Sequence, residues 1–266
     1  MAYEFKLPDL GEGLTEGEIA RWLVAEGQEI AEDDPLVEIA TDKTTVEIPS
    51  PAAGGGKPPT EGDHVQLRGV KRQMFEHLTR AHEIPAVTWV EECDFTNVDL
   101  KLLVPLVLHA VTESLREFPE LNARVEGKEL VLLDHYDIGV AVQSEQGLVV
   151  PVVHGADKLS LDELDAEVRR LAEGANAGTL KPEELRGGTF TVTSAGKAAG
   201  LFVTPLLNHP EVAILGIHRI EERAVVRNGD VVVRRMGNVS VTFDHRVIDG
   251  KRAADFGLAV IARLES

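Results

Sequence analysis

"TFDHRVIDGKR", residues 242–252, decides how this chain is read. His245 and Asp249 stand four positions apart, with Arg246 between them and Gly250 behind. The run before, "NVSVTF" (238–243), alternates polar and apolar residues as a half-buried strand does. The run after, "DGKRAADFGLAVIARLES", reads as a closing helix that is apolar on more than one face. The chain therefore leaves a strand, turns through a histidine and enters a helix. A histidine in that place can be structural, a metal ligand, a hydrolytic base or the base of an acyl transfer.

Upstream the pattern keeps changing period. Residues 66–82 read as a helix, with Val70, Met74 and Leu78 at four-residue steps. "AVTWVEECDF" reads as a strand and "LKLLVPLVLHAVTESLREF" as a long helix with Pro105 in or near its first turns. Three strands follow, at "ELVLLD", "DIGVAVQ" and "GLVVPVV". Ser160 with Glu163 makes a capping box for a helix from about 161 to 174. Further strands are expected at "GTFTVTS", "EVAILGIHRIEE", "VVRNGDVVVRR" and "NVSVTF", with a hairpin turn at Asn228-Gly229. Helices interleaved with strands, some in hairpins, predict an α/β (α+β) domain built on a mixed sheet.

Composition narrows the function. A net charge of −18 argues against nucleic acid and anionic membrane as partners. The acid excess is uneven: residues 1–50 hold thirteen acidic and three basic side chains. Cys93 is the single cysteine, so no internal disulfide framework exists. Its ordinary reading is a buried small hydrophobe. With no signal-peptide pattern and no run of about 18 apolar residues, a soluble protein of a reducing compartment, the cytoplasm, is expected. The histidines His82, His135, His154, His209 and His218 lack metal-ligand spacing, which speaks against zinc.

The first 50 residues look all-β. "PLVEIAT" and "TTVEIPS" alternate and are joined at Asp42-Lys43, a turn without the glycine that such hairpins favour. "PAAGGGKPPTEGDHV" (51–65) reads as a linker. The division expected is 1–54, a linker at 55–65 and a larger domain at 66–266.

Two resemblances give these segments a chemistry. "LPDLGEGLTEGEIARWLVAEGQEI" with "PLVEIATDKTTVEIPSPAAG" resembles the first half of a lipoyl domain, and Lys43 matches the position that carries lipoic acid in that family. The second half of such a domain and the family's small subunit-binding domain have no counterpart here. The ordered motifs "REFPELNARV", "DIGVAVQSEQGLVVPVV", "GGTFTVTSAG", "TPLLNHPEVAILGI" and "FDHRVIDG" resemble the catalytic domain of the dihydrolipoamide acyltransferases of 2-oxo acid dehydrogenase complexes. The segment near "NVDLKLLVP" looks shorter than in that family.

The resemblance implies a fold shared with chloramphenicol acetyltransferase and assembled as trimers. It implies transfer of an acyl group from dihydrolipoamide to coenzyme A. It implies partners: the decarboxylase and dihydrolipoamide dehydrogenase components, within a homotrimer or larger symmetric core. By motif position His245 is the base for the incoming thiol, and Thr193 is the oxyanion donor, with Ser194 the fallback. Asp249 would fix the loop by pairing with an arginine, Arg68 or Arg72, and Gly250 would allow the turn into the last helix. Adjacent strand residues face opposite sides, so only one of Thr193 and Ser194 can point into the site.

Three other functions remain to be separated from this one. A Ser194-His245-Asp249 hydrolase would lack the G-x-S-x-G elbow. An inactive scaffold would not need the His245, Asp249 and Thr193 set. A free small-molecule acetyltransferase of the same fold would not need a lipoyl-like segment.

Overall fold

The structure, a computed structural model, describes residues 18–25, 28–40, 45–50, 66, 69–144, 147–194, 196 and 200–266. Lys43 with Asp42 and Thr44, the expected linker at 55–65, and Arg68 lie outside the described residues. The chain divides into two compact units, residues 1–73 and 74–266.

In the first unit β1 (Glu18–Trp22), β2 (Pro35–Ala40) and β3 (Thr45–Pro49) form an antiparallel three-stranded sheet in that order. The alternation read in the sequence buries Val37 and Ile39 of β2 with Ile48 of β3. Ile19 and Trp22 stay exposed. Arg21 and Glu38, cross-strand neighbours, form an ion pair at 2.8 Å.

Helix α1 (Gly69–His82) carries the boundary between the units. β4 (Ala86–Asp94) and α2 (Leu103–Glu117) follow. α2 starts after the turn at Asp99–Leu102, so Pro105 falls in the first turn, where its missing N–H leaves no bond unmade. Next come β5 (Ala123–Glu126), β6 (Glu129–Leu132), β7 (Ile138–Val140), β8 (Val142–Ser144), β9 (Gly147–Val149) and β10 (Val152–Val153). Thus "DIGVAVQ" and "GLVVPVV" each split in two. β8 and β9 leave the main sheet and pair with each other.

Helix α3 (Leu161–Ala177) opens on the predicted capping box: the Glu163 N–H donates to Ser160 Oγ, and the Ser160 N–H donates to Glu163 Oε2 at 2.8 Å. It runs past residue 174 and stops at Gly178, whose φ of 65° is the left-handed conformation that a helix C-cap needs. The chain then gives β11 (Phe190–Ser194), β12 (Ala213–Ile217), β13 (Glu221–Arg227), β14 (Asp230–Asp244) and α4 (Gly250–Glu265). Asn228 (φ 55°) and Gly229 (φ 92°) make the predicted two-residue turn between Arg227 and Asp230.

Two strand expectations change here. "EVAILGIHRIEE" breaks at His218, whose ring turns to Ser240. "VVVRR" and "NVSVTF" fuse into the single 15-residue β14. Gly237 lets the fused strand pass beneath its neighbours, since a Cβ there would lie 2.9 Å from Ile220 and 3.0 Å from Phe95.

The main sheet has seven strands, in the order β10-β7-β11-β12-β14-β13, with β4 also on β14. β7, β11 and β12 run parallel, and the other pairings are antiparallel, so the sheet is mixed as expected. α4 packs on β4 and β14, and α2 packs against α3 and α4. Phe256 of α4 sits among Phe118 and Phe190, with ring centroids 5.9 and 5.7 Å away. Cys93 is fully buried, and burial pushes its thiol up, away from any thiolate chemistry. No described helix is long and apolar enough to cross a membrane.

Candidate active site

Alternation along β11 assigns its two faces. Phe190 packs against Phe256, and Val192 joins the same core, so Thr191 and Thr193 point to the opposite face of the sheet. Ser194 shares the Phe190 side, and its Oγ accepts the Gly196 N–H at 3.4 Å. Thr193 is half-buried at the strand end and pairs with Gly216 of β12, which pairs with Ser240 of β14. The Thr193 face is lined with polar groups. On it Thr88 meets Thr242 at 2.8 Å, and His218 Nε2 meets Ser240 Oγ at 2.8 Å. His218 Nδ1 accepts the Val203 N–H at 3.2 Å, so the proton sits on Nε2 and Ser240 is the acceptor. Burial also pushes the His218 pKa down and favours that neutral form.

The histidine turn is built from Asp244, the last residue of β14. Its carboxylate is almost wholly buried and accepts the Arg246 N–H at 3.0 Å. The same carboxylate receives the Arg246 guanidinium at 2.9, 3.1 and 2.6 Å. Its carbonyl accepts from the Val247 and Ile248 N–H groups. A buried carboxylate is tolerated because the guanidinium forks onto it, and the same pairing raises the Arg246 pKa. His245 is thereby thrown outward. Its N–H donates to Pro85 O at 3.0 Å, and its exposed ring lies 5.5 Å from the Phe243 ring.

Asp244 was not singled out in the sequence. A carboxylate two positions before an arginine at a strand end was the available signal.

Asp249 fixes the start of the last helix; of the two arginines expected to pair with it, Arg68 lies outside the described residues. Asp249 is the N-cap of α4, and its carboxylate accepts the Arg252 N–H at 2.9 Å. The first helical N–H groups need an acceptor, and this carboxylate supplies one. Gly250 begins α4 in open space without a positive φ, so the turn does not depend on glycine there.

His245 and Asp249 are thus held at the two ends of one turn, while Thr193 and Ser194 stand elsewhere on the sheet. Ser240, level with Thr193, precedes His245 by five residues and stands two strands away. At about 3.3 Å per residue and about 4.8 Å per strand, Thr193 and His245 are roughly 19 Å apart within one chain. Within one chain a Ser194-His245-Asp249 triad fails on the same distance. No cluster of metal-ligating side chains exists among the described residues.

Residues 59–266 match the family described as 2-oxoacid dehydrogenases acyltransferase (catalytic domain), and residues 3–55 match the one described as biotin-requiring enzyme. The acetyltransferase component of the Bacillus subtilis pyruvate dehydrogenase complex is 28% identical over 421 aligned residues, covering 95% of each chain. That alignment is longer than this chain of 266 residues, so the relative carries intervening sequence that this chain lacks.

The lipoamide acyltransferase component of the Pseudomonas aeruginosa branched-chain complex is 40% identical over 76% of this chain. Against it the chain spans only about half (51%) of the relative's length. Among solved structures, Azotobacter vinelandii dihydrolipoamide acetyltransferase superposes with a TM-score of 0.73 at 30% identity. The match covers 80% of this chain and 97% of that one. That work concerns a serine, a histidine and an asparagine in the catalytic mechanism. With its mixed sheet and helix layer and its outward-facing His245, this chain belongs to the 2-oxoacid dehydrogenase acyltransferase family.

Proposed function

We propose that this chain moves an acyl group from dihydrolipoamide to coenzyme A as the core component of a 2-oxo acid dehydrogenase complex. Lipoate is its cofactor, and Lys43 is the residue that would carry it. The catalytic domain works as a trimer, with His245 of one chain facing Thr193 of the next. The observation that carries this reading is the distance of roughly 19 Å between the two residues in one chain. Among the described residues neither has a chemical partner for thiol transfer on its own side, and a second copy would complete the site.

In each site the imidazole of His245 takes the proton of the coenzyme A thiol. The thiolate attacks the carbonyl of the acyl-dihydrolipoamide thioester. Charge develops on the carbonyl oxygen, and the Thr193 hydroxyl donates to it. Collapse breaks the bond to the dihydrolipoamide sulfur, and that sulfur takes the proton back from the imidazolium. Asp249 and Asp244 hold the turn and touch no reacting atom.

Spacing supports Thr193 over Ser194. In the Azotobacter protein the serine precedes the histidine by 52 positions and the asparagine follows it by four. Thr193 stands 52 positions before His245, and Asp249 four after it. The partners of such a component are the decarboxylase and dihydrolipoamide dehydrogenase, and its setting is the cytoplasm.

Complementation tests the shared site. His245→Ala and Thr193→Ala chains are each inactive in this reading. Co-assembled in equal amounts, they should recover about a quarter of wild-type turnover, the fraction of interfaces that pair an intact histidine with an intact threonine. Mixed assemblies with no recovery would refute a site built from two chains.

A further inference from the structure

Two residues before Thr193, on the same face of β11, the Thr191 side chain enters a closed polar cluster. Glu211 is 3% exposed and Thr191 1%. The Thr191 hydroxyl lies 2.6 Å from Glu211 Oε2. Asn208 Nδ2 donates to Glu211 Oε1 at 2.9 Å and to Thr191 Oγ1 at 3.1 Å. Asn208 Oδ1 in turn lies 3.1 Å from His77 Nε2 on α1. The pocket has no slack, since a Cβ at Gly188 would stand 2.8 Å from Glu211 Oε1.

Thr191 and Asn208 are the side chains that bear on the carboxyl. Arg124 meets Glu211 through a backbone bridge and turns its guanidinium to Glu126. Burial, opposed only by these two hydrogen bonds, pushes Glu211 up to about 8. The cluster is therefore neutral near pH 7, a hydrogen-bonded lock rather than an ion pair. No step of the acyl transfer uses it.

We propose that Glu211, with Asn208, is a positioning residue for the transfer: through the Thr191 hydroxyl it fixes the polar face of β11, and with it the reach of Thr193. This rests on Thr193 being the oxyanion donor. The physical reason is the sensitivity of that role to placement. Thr193 sits one residue before the strand ends, paired to Gly216 of β12 while the pairing with β7 stops at Val192. An oxyanion donor must meet the developing charge at about 2.7–3.1 Å. Side chains at i and i+2 share one face, so locking Thr191 limits the swing of Thr193. The link to His77 also ties β11 to α1.

The test is kinetic and uses the full chain. Thr191→Val keeps the shape and removes the hydroxyl. We expect kcat to fall about tenfold while KM for coenzyme A and for the acyl-dihydrolipoamide substrate stays within about twofold. The double variant Thr191→Val/Thr193→Ala should be no slower than Thr193→Ala alone, because a lock on a missing donor has nothing left to position.

Glu211→Ala should lower kcat. Glu211→Gln should recover most of the loss, since its amide can donate to Thr191 and accept from Asn208. Wild-type kcat for folded Thr191→Val, or losses that multiply in the double variant, would overturn the positioning role. Near-normal kcat for Thr193→Ala would instead overturn the assignment of the donor itself.

Discussion

The two units of this chain are both β-rich, yet they are built on very different margins. The first buries three described apolar side chains, Val37, Ile39 and Ile48, under a three-stranded sheet, and leaves Ile19 and Trp22 exposed. The second packs thirty-one described core residues between a seven-stranded sheet and its helices. A fully buried Val, Leu or Phe stabilises by about 1.5–3 kcal/mol, while ordering each residue costs about 1–2 kcal/mol. The larger core leaves room for expensive features. Those features are a buried Asp244 carboxylate paired with the exposed Arg246, a buried neutral Glu211 and an outward-facing His245. The comparison teaches that chemistry sits where packing can carry it.

The sharpest way to break this contrast is to remove the chemistry from the larger unit. His245→Ala should lower turnover by roughly 10²–10⁴, the range of a lost general base. Raising the pH should restore part of it, because free thiolate needs no base. Thr193→Ala should lower turnover by roughly 10²–10³. Ser194→Ala should be close to wild type in the same coenzyme A-dependent assay. If Ser194→Ala is the crippled variant, the faces of β11 are exchanged in the working site.

The burden of Glu211 sharpens the comparison next. The folded chain holds this proton up to about pH 8, whereas the unfolded chain releases it from about pH 4.5. The unfolded state therefore binds fewer protons across that window, and stability should fall as pH rises, by up to about 1.4 kcal/mol per pH unit. Glu211→Gln should remove that slope in a series of denaturation curves. An unchanged slope would mean that the carboxyl is ionised in the fold.

A smaller effect is expected at Asp249. Losing the cap in Asp249→Ala should cost about 1 kcal/mol in thermal or denaturant unfolding. Asp249→Asn should be nearly neutral for stability, since asparagine also caps. A large loss for the asparagine variant would point to a charged partner of Asp249 beyond the Arg252 N–H. Least visible of all should be the first unit on its own. Residues 1–54 as an isolated fragment should show little amide-exchange protection, and strong protection would show that its core is larger than Val37, Ile39 and Ile48.

Much of this was legible beforehand because it is local. The Ser160–Glu163 box, the Asn228-Gly229 turn and the helix after "FDHRVIDG" each depend on residues within one turn of each other. Strand continuity was not. "EVAILGIHRIEE" alternates well enough to read as one strand, but its pairing to β14 lapses after Ile217 and resumes at Glu221 one residue out of register, with the His218 ring turned to Ser240 and Val203. "VVVRR" and "NVSVTF" read as two strands, but Gly237 lets them run on as one.

The sequence by itself determined the family, the mixed sheet, and the identity of His245 and Thr193 as candidates, because motif order and period are written along the chain. Only the tertiary structure decided that Asp249 caps a helix, that Asp244 organises the histidine turn, and that Glu211 locks Thr191. It also put His245 and Thr193 far apart on one sheet. The Glu211–Thr191 contact and the strand order depend on residues distant in sequence, whereas the Asp249 and Asp244 contacts are local and are fixed only once the helix start and the strand end are placed. No local pattern records which strand lies beside which.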